Sequence, residues 1–170
     1  MSNSKPEQQQ TQFEWTFWLQ WLLATALGWL VGLFLLGEAG IGASVGLAQW
    51  LVLRREFTNA GWWILVSAVA WLVGWEIIVD GQLLTPGADL ISSLIVGAVM
   101  GLVLGLGQWL LLRRWTQSAS MWIPANLSAW SVAFTGIFGG AIIAGIVVGA
   151  VTGLVLELLR RYSNLDEEKP

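Results

Sequence analysis

The polar side chains that could do chemistry in this sequence are few, and most lie within or beside long apolar runs. Gln49 and Gln108 each precede an arginine pair by five residues. A buried amide in a membrane helix usually bonds a neighbouring helix, although it could also coordinate a pigment metal or a solute. Glu76 and Asp80 are four residues apart, so they could share a helix face and bind a cation or relay protons. We favour a structural role for both pairs. Polar residues that join helices are commoner than ligands, and carboxylates at a helix end usually lie in the headgroup region.

Several kinds of chemistry are excluded by composition. The chain contains no cysteine and no histidine, which removes thiolate chemistry, the commonest general base and the usual axial ligand of haem. The net charge is −3, and no basic surface of the size that nucleic acid requires is evident. We therefore predict that the protein is not an enzyme, has no haem and no thiolate or histidine metal site, and does not bind nucleic acid.

The apolar runs are typical of a polytopic membrane protein. Of 170 residues, 56% are hydrophobic and 11% are charged, whereas soluble domains average about 25% charged residues. The charges stand at the tails and between the apolar runs, so each run is almost free of charge. We expect a single membrane domain over 13–161, between disordered tails at 1–12 and 162–170.

An internal repeat organises this domain. The segment QWLVLRR at 49–55 returns at 108–114 as QWLLLRR, and a weaker copy ends in the arginine pair at 160–161. Tryptophans stand eight residues apart in three places: Trp21 and Trp29, Trp63 and Trp71, and Trp122 and Trp130. The sequence thus predicts three units, at about 13–55, 61–114 and 121–161, each a helical hairpin with tryptophans on its first helix and arginines ending its second.

The predicted fold is an all-α integral membrane protein of six transmembrane helices in three parallel hairpin repeats. The helices are predicted at about 14–36, 40–55, 61–79, 89–114, 121–137 and 140–161. The second helix of each unit carries glycines four residues apart, a spacing that forms a glycine zipper on one helix face: Gly42, Gly46, Gly97, Gly101, Gly105, Gly145, Gly149 and Gly153. We expect these second helices to meet at the centre, with the tryptophan-rich helices outside them.

Lysine and arginine indicate the orientation. If six helices span, all eight lysines and arginines lie on one side. The positive-inside rule then places both termini in the cytoplasm. The opposite loops carry only acidic charges, at Glu38, Glu76, Asp80 and Asp89. We expect a bacterial inner or plasma membrane, or a thylakoid membrane.

The block QWLVLRR followed by Ala60-Gly61-Trp62-Trp63 resembles a group of uncharacterised multi-pass membrane proteins common in cyanobacteria. In those proteins similar glycine-rich QWLVLRR and AGWW blocks recur as hairpins. The resemblance covers the first two units closely and the third weakly, where Glu157 stands near the position of the glutamine. It implies a cyanobacterial-type membrane location and no particular activity.

Two groups of residues are candidates for binding. The first would anchor the helix ends or form a ring that binds anionic lipid headgroups: Arg54, Arg55, Arg113, Arg114, Arg160 and Arg161. The second would hold a flat apolar ligand, such as a pigment, or simply pack against neighbouring helices: Trp29, Trp71 and Trp130 with Gln49 and Gln108.

The functional prediction is a non-catalytic membrane component that binds lipid, a flat apolar cofactor or a larger membrane protein complex. The alternative is a small channel or carrier for a cation or solute, with a path along the axis of the repeats and an acidic outer mouth. A continuous polar passage would favour the channel, whereas a dry, packed axis would favour the binding component.

Overall fold

The computed structural model describes residues 13–79, 89–137 and 139–167, and these residues form helices and connecting turns without a strand. The all-α prediction is confirmed, and each of the six helices begins one residue after its predicted start, while the last one runs six residues beyond its predicted end at 161. The predicted tail at 1–12 lies outside the described residues, as does Asp80. Of the predicted disordered tail at 162–170, residues 168–170 also lie outside them, whereas 162–167 continue the last helix. The helices are α1 (Trp15–Val31), α2 (Ile41–Leu53), α3 (Trp62–Val79), α4 (Leu90–Leu112), α5 (Trp122–Phe134) and α6 (Ala141–Glu167).

The connections are short, and two of them show why the helices end where they do. After α1 the chain makes a π-helical turn at Gly32–Leu36 and reverses at Gly37, whose φ of 73° is strained for any residue with a side chain. Before α4, the Asp89 carboxylate accepts a hydrogen bond from the Ser92 backbone N–H at 2.8 Å. This bond and a second one from the Ser92 hydroxyl lower the pKa of the Asp89 carboxyl.

Four helical segments are long and apolar enough to cross a membrane, which is consistent with an integral membrane protein. Crossing a core of about 30 Å takes roughly 20 residues. The helices α2 and α5 have 13 residues each, or about 20 Å at a rise of ~1.5 Å per residue. The four segments are Trp15–Leu36, Trp62–Val79, Leu90–Leu112 and Ala141–Arg161.

The six helices form a closed ring. Each helix packs against its neighbours in the chain, and α1 packs against α6. The second helices α2, α4 and α6 do not pack against one another along the described residues. Our expectation that they meet at the centre is therefore wrong. Six helices in a ring leave a central space that is too wide for their backbones to meet across it. The large tryptophan side chains of α1, α3 and α5 fill that space.

The glycines lie where α2, α4 and α6 touch the next helix of the ring. A Cβ atom added at Gly101 of α4 would press on the backbone oxygen of Asn126 in α5. One added at Gly149 of α6 would lie 3.0 Å from the Leu22 Cα in α1. Contacts this close need glycine, because any side chain would separate the two backbones. Five more glycines of these helices face a neighbouring backbone in the same way: Gly42 and Gly46 against α3, Gly97 and Gly105 against α5, and Gly145 against α1. Gly153 faces the Trp18 and Trp21 side chains, and Gly28 of α1 faces the Val45 Cα of α2 at 2.8 Å.

Candidate functional site

The three arginine pairs lie at one end of the ring. Arg160 of α6 forms a 3.0 Å ion pair with Glu56, which follows α2. Phe57, one residue further, stacks on Trp115 after α4 with ring centroids 4.2 Å apart. We call this the arginine end, and we call the end that carries Glu38 the distal end.

Three tryptophans close the axis near the arginine end. Trp21, Trp63 and Trp122 come from α1, α3 and α5, and each is fully buried. Their rings meet edge to face, with centroids 6.0, 6.0 and 5.9 Å apart. We call this cluster the inner triad. It leaves no opening along the axis at this level.

A second cluster closes the axis two helical turns further along. Trp29, Trp71 and Trp130 lie 5.9, 5.5 and 5.5 Å apart between ring centroids, and all three are buried. We call this cluster the distal triad. Since the tryptophans contact one another, their faces are covered by protein.

Gln49 links the inner triad to a neighbouring helix. Its side-chain oxygen accepts a hydrogen bond from the Trp63 indole at 2.9 Å, and its amide donates to the Thr25 hydroxyl at 3.1 Å. The residue is buried, and its amide joins α2 to both α3 and α1. This geometry agrees with the interhelical bonding that we favoured over metal or solute coordination.

The same arrangement recurs once and is replaced once. Gln108 accepts from the Trp122 indole at 3.0 Å and donates to the Ser67 hydroxyl at 2.9 Å. In the third position the Trp21 indole donates to the Thr152 hydroxyl at 3.0 Å. The tryptophans of the inner triad thus all have hydrogen-bond partners on the neighbouring helix, although the third partner is not a glutamine.

The distal triad is bonded less completely. The Trp29 indole donates to the Ala141 carbonyl at 2.6 Å, and the Trp71 indole donates to the Glu38 carbonyl at 2.8 Å. The Trp130 indole nitrogen is buried and has no partner among the described residues.

A small polar cavity lies between the two triads. It leaves about 10 Å³ for the centre of a water molecule, which is near the minimum that one water needs. A flat apolar ligand does not fit there, so the predicted ligand residues Trp29, Trp71 and Trp130 fill the core with their own rings. The polar lining consists of Gln49, Ser67, Gln108 and Asn126.

The third arginine pair is held within the protein. Glu157 is buried and accepts hydrogen bonds from Arg160 at 3.3 Å and from Arg161 at 3.2 Å. Arg160 also pairs with Glu14 at 3.2 Å and lies over the Phe17 ring. Only 17% and 24% of the two arginine side chains is exposed, so they have little surface left for a headgroup. They join the ends of α1, α2 and α6 instead.

The other four arginines are open to their surroundings. All are exposed, and no described carboxylate pairs with them. Arg54 and Arg113 lie over the rings of Trp50 and Trp109, with 5.3 and 5.1 Å from the guanidinium carbon to the ring centroid. These four remain the candidates for headgroup contacts: Arg54, Arg55, Arg113 and Arg114.

The acidic residues do not form a site in the described part of the chain. Glu38 and Glu76 are exposed near the distal end, and the partner predicted for Glu76, Asp80, lies outside the described residues. The described residues hold no group of carboxylates that could bind a metal ion.

A large groove lies on the outer surface between α1 and α2, and the sequence did not predict it. It measures about 720 Å³, and its lining is apolar apart from Gln20 and Arg55 toward the arginine end and Ser44 on α2. Small residues line α1 and α2 there, at Ala24, Gly28, Ala43 and Ala48. These small residues are visible in the sequence of each helix. Only the packing of α1 against α2 decides that the two sets lie side by side. Arg55 lies at the arginine end of this α1–α2 groove.

A second groove of about 610 Å³ lies on the other side of α1, against α6. Its lining carries no charged residue and includes Phe13, Trp15 and Trp18. Arg161 lies over the Phe13 ring at 5.3 Å, but it is ion-paired with Glu157. An arginine within the lining that pairs with no described carboxylate therefore distinguishes the α1–α2 groove from this one.

Comparison with known proteins gives no match: no protein-family model, no curated protein and no solved structure is similar to this chain.

Proposed function

We propose that the protein is a non-catalytic integral membrane component that binds an anionic phospholipid in the α1–α2 groove, with the lipid phosphate at Arg55. The observation that carries the proposal is an apolar groove of about 720 Å³ with an exposed, unpaired arginine at one end. Its volume falls within the ~300–1,000 Å³ of ordinary ligand pockets. An apolar body with one cationic end matches the chemistry of a phospholipid.

The length of the groove agrees with an acyl chain in one leaflet. Along α1 its lining runs from Gln20 to Val31, which is about 16 Å at a rise of ~1.5 Å per residue. One leaflet contributes half of a core of ~30 Å, or about 15 Å. The methylene chain would lie against Ala24 and Gly28, while the headgroup stays at the level of Arg55.

Arginine suits the phosphate because its planar guanidinium donates two parallel hydrogen bonds. A single arginine near the membrane surface contributes about 1 kcal/mol toward an anionic lipid. The groove would therefore hold the acyl chain in place, and the arginine would favour lipids with an anionic headgroup. The exposed Arg54, adjacent in the chain, adds to the positive potential.

The finer architecture belongs to the same proposal. We infer that the chain is a tandem of three helical hairpins, because the triads draw one tryptophan from each of α1, α3 and α5 and the glutamine bridge occurs twice. We place both termini and the arginine end in the cytoplasm by the positive-inside rule. The lipid would then belong to the cytoplasmic leaflet. The likeness to cyanobacterial multi-pass proteins points to a cyanobacterial-type membrane as its location.

The channel alternative receives no support from the geometry. The two triads block the axis at two levels, and the cavity between them has room for one water only. A path for ions would require both layers to open and would expose apolar rings to the passing ion.

The decisive experiment is native mass spectrometry of the protein purified from its own membranes in a mild detergent. We expect one phospholipid per chain to survive delipidation. Arg55→Gln should weaken the affinity for the anionic lipid about five-fold, since ~1 kcal/mol corresponds to that factor, and should therefore lower its occupancy after partial delipidation. Ala43→Leu should displace the chain from the groove.

Two matched controls carry the same changes outside the groove. Arg114→Gln removes an exposed arginine at the same end, and Ala68→Leu enlarges a half-buried alanine on α3. Both should keep the lipid. Wild-type protein without a stoichiometric lipid, or equal occupancy in all four variants, would overturn the proposal. A stoichiometric pigment or protein partner in place of lipid would do the same and would identify the other kind of binding component.

The orientation has its own test, because the chain has no native cysteine. A membrane-impermeant maleimide applied to intact cells stripped of their outer layers should label Glu38→Cys and leave Ser118→Cys unlabelled until the cells are opened. Labelling of both from outside would refute the cytoplasmic placement of the arginine end.

A further inference from the structure

We propose that the cavity between the two tryptophan triads binds one water molecule, which completes the hydrogen bonding of the core at the position where the third glutamine bridge is missing. This inference does not depend on lipid binding, because it rests on side chains that face the axis of the ring and not on its outer surface.

The first step is the difference among the three positions. On α3 the hydroxyl of Ser67 receives the Gln108 amide, and on α1 the hydroxyl of Thr25 receives the Gln49 amide. The residue at the matching position of α5, 59 residues after Ser67, is Asn126. Its amide turns back and donates to the Trp122 carbonyl of its own helix at 3.1 Å. The bridge between helices is thus absent at this position.

The second step is the count of donors and acceptors around the cavity. Each glutamine amide has two N–H bonds, and the described hydrogen bonds use one of them. Among the described hydrogen bonds, Asn126 takes part through its amide nitrogen, and none ends on its side-chain oxygen. The indole nitrogen of Trp130, another residue of the lining, is buried and has no partner among the described residues. Buried polar groups in this condition are normally satisfied by protein or by ordered water.

The third step is the match between these groups and water. A water molecule in this cavity would accept from the spare N–H of Gln108 or Gln49 and donate to the oxygen of Asn126. Two to four polar partners are what a buried water requires. The space of about 10 Å³ admits one water and nothing larger.

A cation is a poorer fit, although its size is similar. No carboxylate lines the cavity, and an unpaired charge at this depth carries a large desolvation cost. The polar groups of the lining are amides, one hydroxyl and indole N–H groups, all neutral, which suit a neutral ligand that both donates and accepts. The chemistry therefore selects water.

The test is nuclear magnetic resonance of the full chain in micelles, with the side-chain amides of glutamine and asparagine labelled. In the wild type we expect magnetisation transfer between a long-lived water and the amide protons of Gln108 and Asn126. Absence of this transfer in the wild type would show a dry cavity and overturn the proposal.

Variants separate the cavity water from water bound elsewhere. Asn126→Leu removes the acceptor and fills the space, so the transfer to Gln108 should disappear. The matched control is Ser128→Ala, an exposed serine on α5 that bonds only carbonyls of its own helix, and it should leave the signal unchanged. Transfer that persists in full in Asn126→Leu would also overturn the proposal.

Discussion

The contact between α4 and α5 gives the sharpest test of the ring. Replacing either of two glycines on α4 by alanine should change stability by clearly different amounts. At Gly101 an added Cβ would meet the backbone oxygen of Asn126 and would lie 2.8 Å from the Leu127 Cα. At Gly107 of the same helix it would lie 3.1 Å from a methyl carbon of Val66 and 3.3 Å from the Ala70 Cβ. The first obstacle is backbone closer than 3 Å, which cannot move without separating the helices. The second is a rotatable Val66 methyl and the Ala70 Cβ, at distances where a shift of a few tenths of an ångström suffices.

The magnitudes follow from this difference. Alanine in a helix interior is favoured over glycine by up to about 1 kcal/mol, and overpacking costs about 1–3 kcal/mol. At Gly101 we expect a cost in the upper half of that range, about 2–3 kcal/mol, so that Gly101→Ala loses a net ~1–2 kcal/mol. At Gly107 the neighbours yield by a few tenths of an ångström, and Gly107→Ala should change stability by less than ~0.5 kcal/mol.

The measurement is the free energy of unfolding in mixed micelles, followed by circular dichroism and by the fluorescence of the buried tryptophans. Both variants leave the number of tryptophans unchanged, so the same fluorescence transition reports each of them. Equal stability of Gly101→Ala and Gly107→Ala would refute the close backbone contact between α4 and α5.

Three other predictions follow from the core and the helix ends. Gln108→Met keeps the side-chain volume but leaves a buried indole N–H without its partner, so we expect a loss of about 1–3 kcal/mol by the same unfolding assay, and an unchanged stability would contradict the bridge. Glu157→Ala removes the buried carboxylate that two arginines share. Because both arginines stay partly exposed, the free energy of unfolding should fall by about 2 kcal/mol, less than the ~3–5 kcal/mol of a fully buried pair. Glu56→Gln acts on a more exposed ion pair and should lower the free energy of unfolding by less than ~1 kcal/mol. The carboxyl of Asp89 should have a pKa below the usual range of aspartate when its carbon-13 chemical shift is followed against pH, because Ser92 donates to its charged form. The contribution of this cap to stability is therefore present above the usual range and is lost as the pH falls through the lowered pKa. A pKa in the ordinary range of aspartate would show that the cap is not formed.

Much of the secondary structure was readable from the sequence. Apolar runs interrupted by glycine and charged residues gave six helices, and the observed α4, Leu90–Leu112, differs from the prediction by two residues or fewer at each end. The interhelical role of Gln49 was also foreseeable, since an amide in an apolar helix must find a partner on another helix. Local patterns of this kind act within one helix or one turn, so sequence alone reveals them.

The sequence did not show in this way which helices contact one another or which side chains lie at the centre of the ring. The glycine spacing identified the face of α4 at which a backbone could approach, but it did not identify α5 as the approaching helix. We expected α2, α4 and α6 at the centre, and the tryptophans lie there instead. Small residues predict only that a contact is close, whereas which helices meet depends on how the ring closes.

The sequence by itself determined the chemical class of this protein: a membrane-embedded, all-helical chain without histidine or cysteine, with its arginines grouped at the helix ends. The ion pairs of Glu157 with Arg160 and Arg161 join residues three and four apart on one helix and were readable from the sequence. Only the tertiary structure decided that Glu157 is buried and that Arg160 also pairs with Glu14 and Glu56, because packing brings the ends of α1, α2 and α6 together. The α1–α2 groove arose in the same way. Its lining comes from two helices, and the width of a groove depends on the distance between them, which no single stretch of sequence encodes.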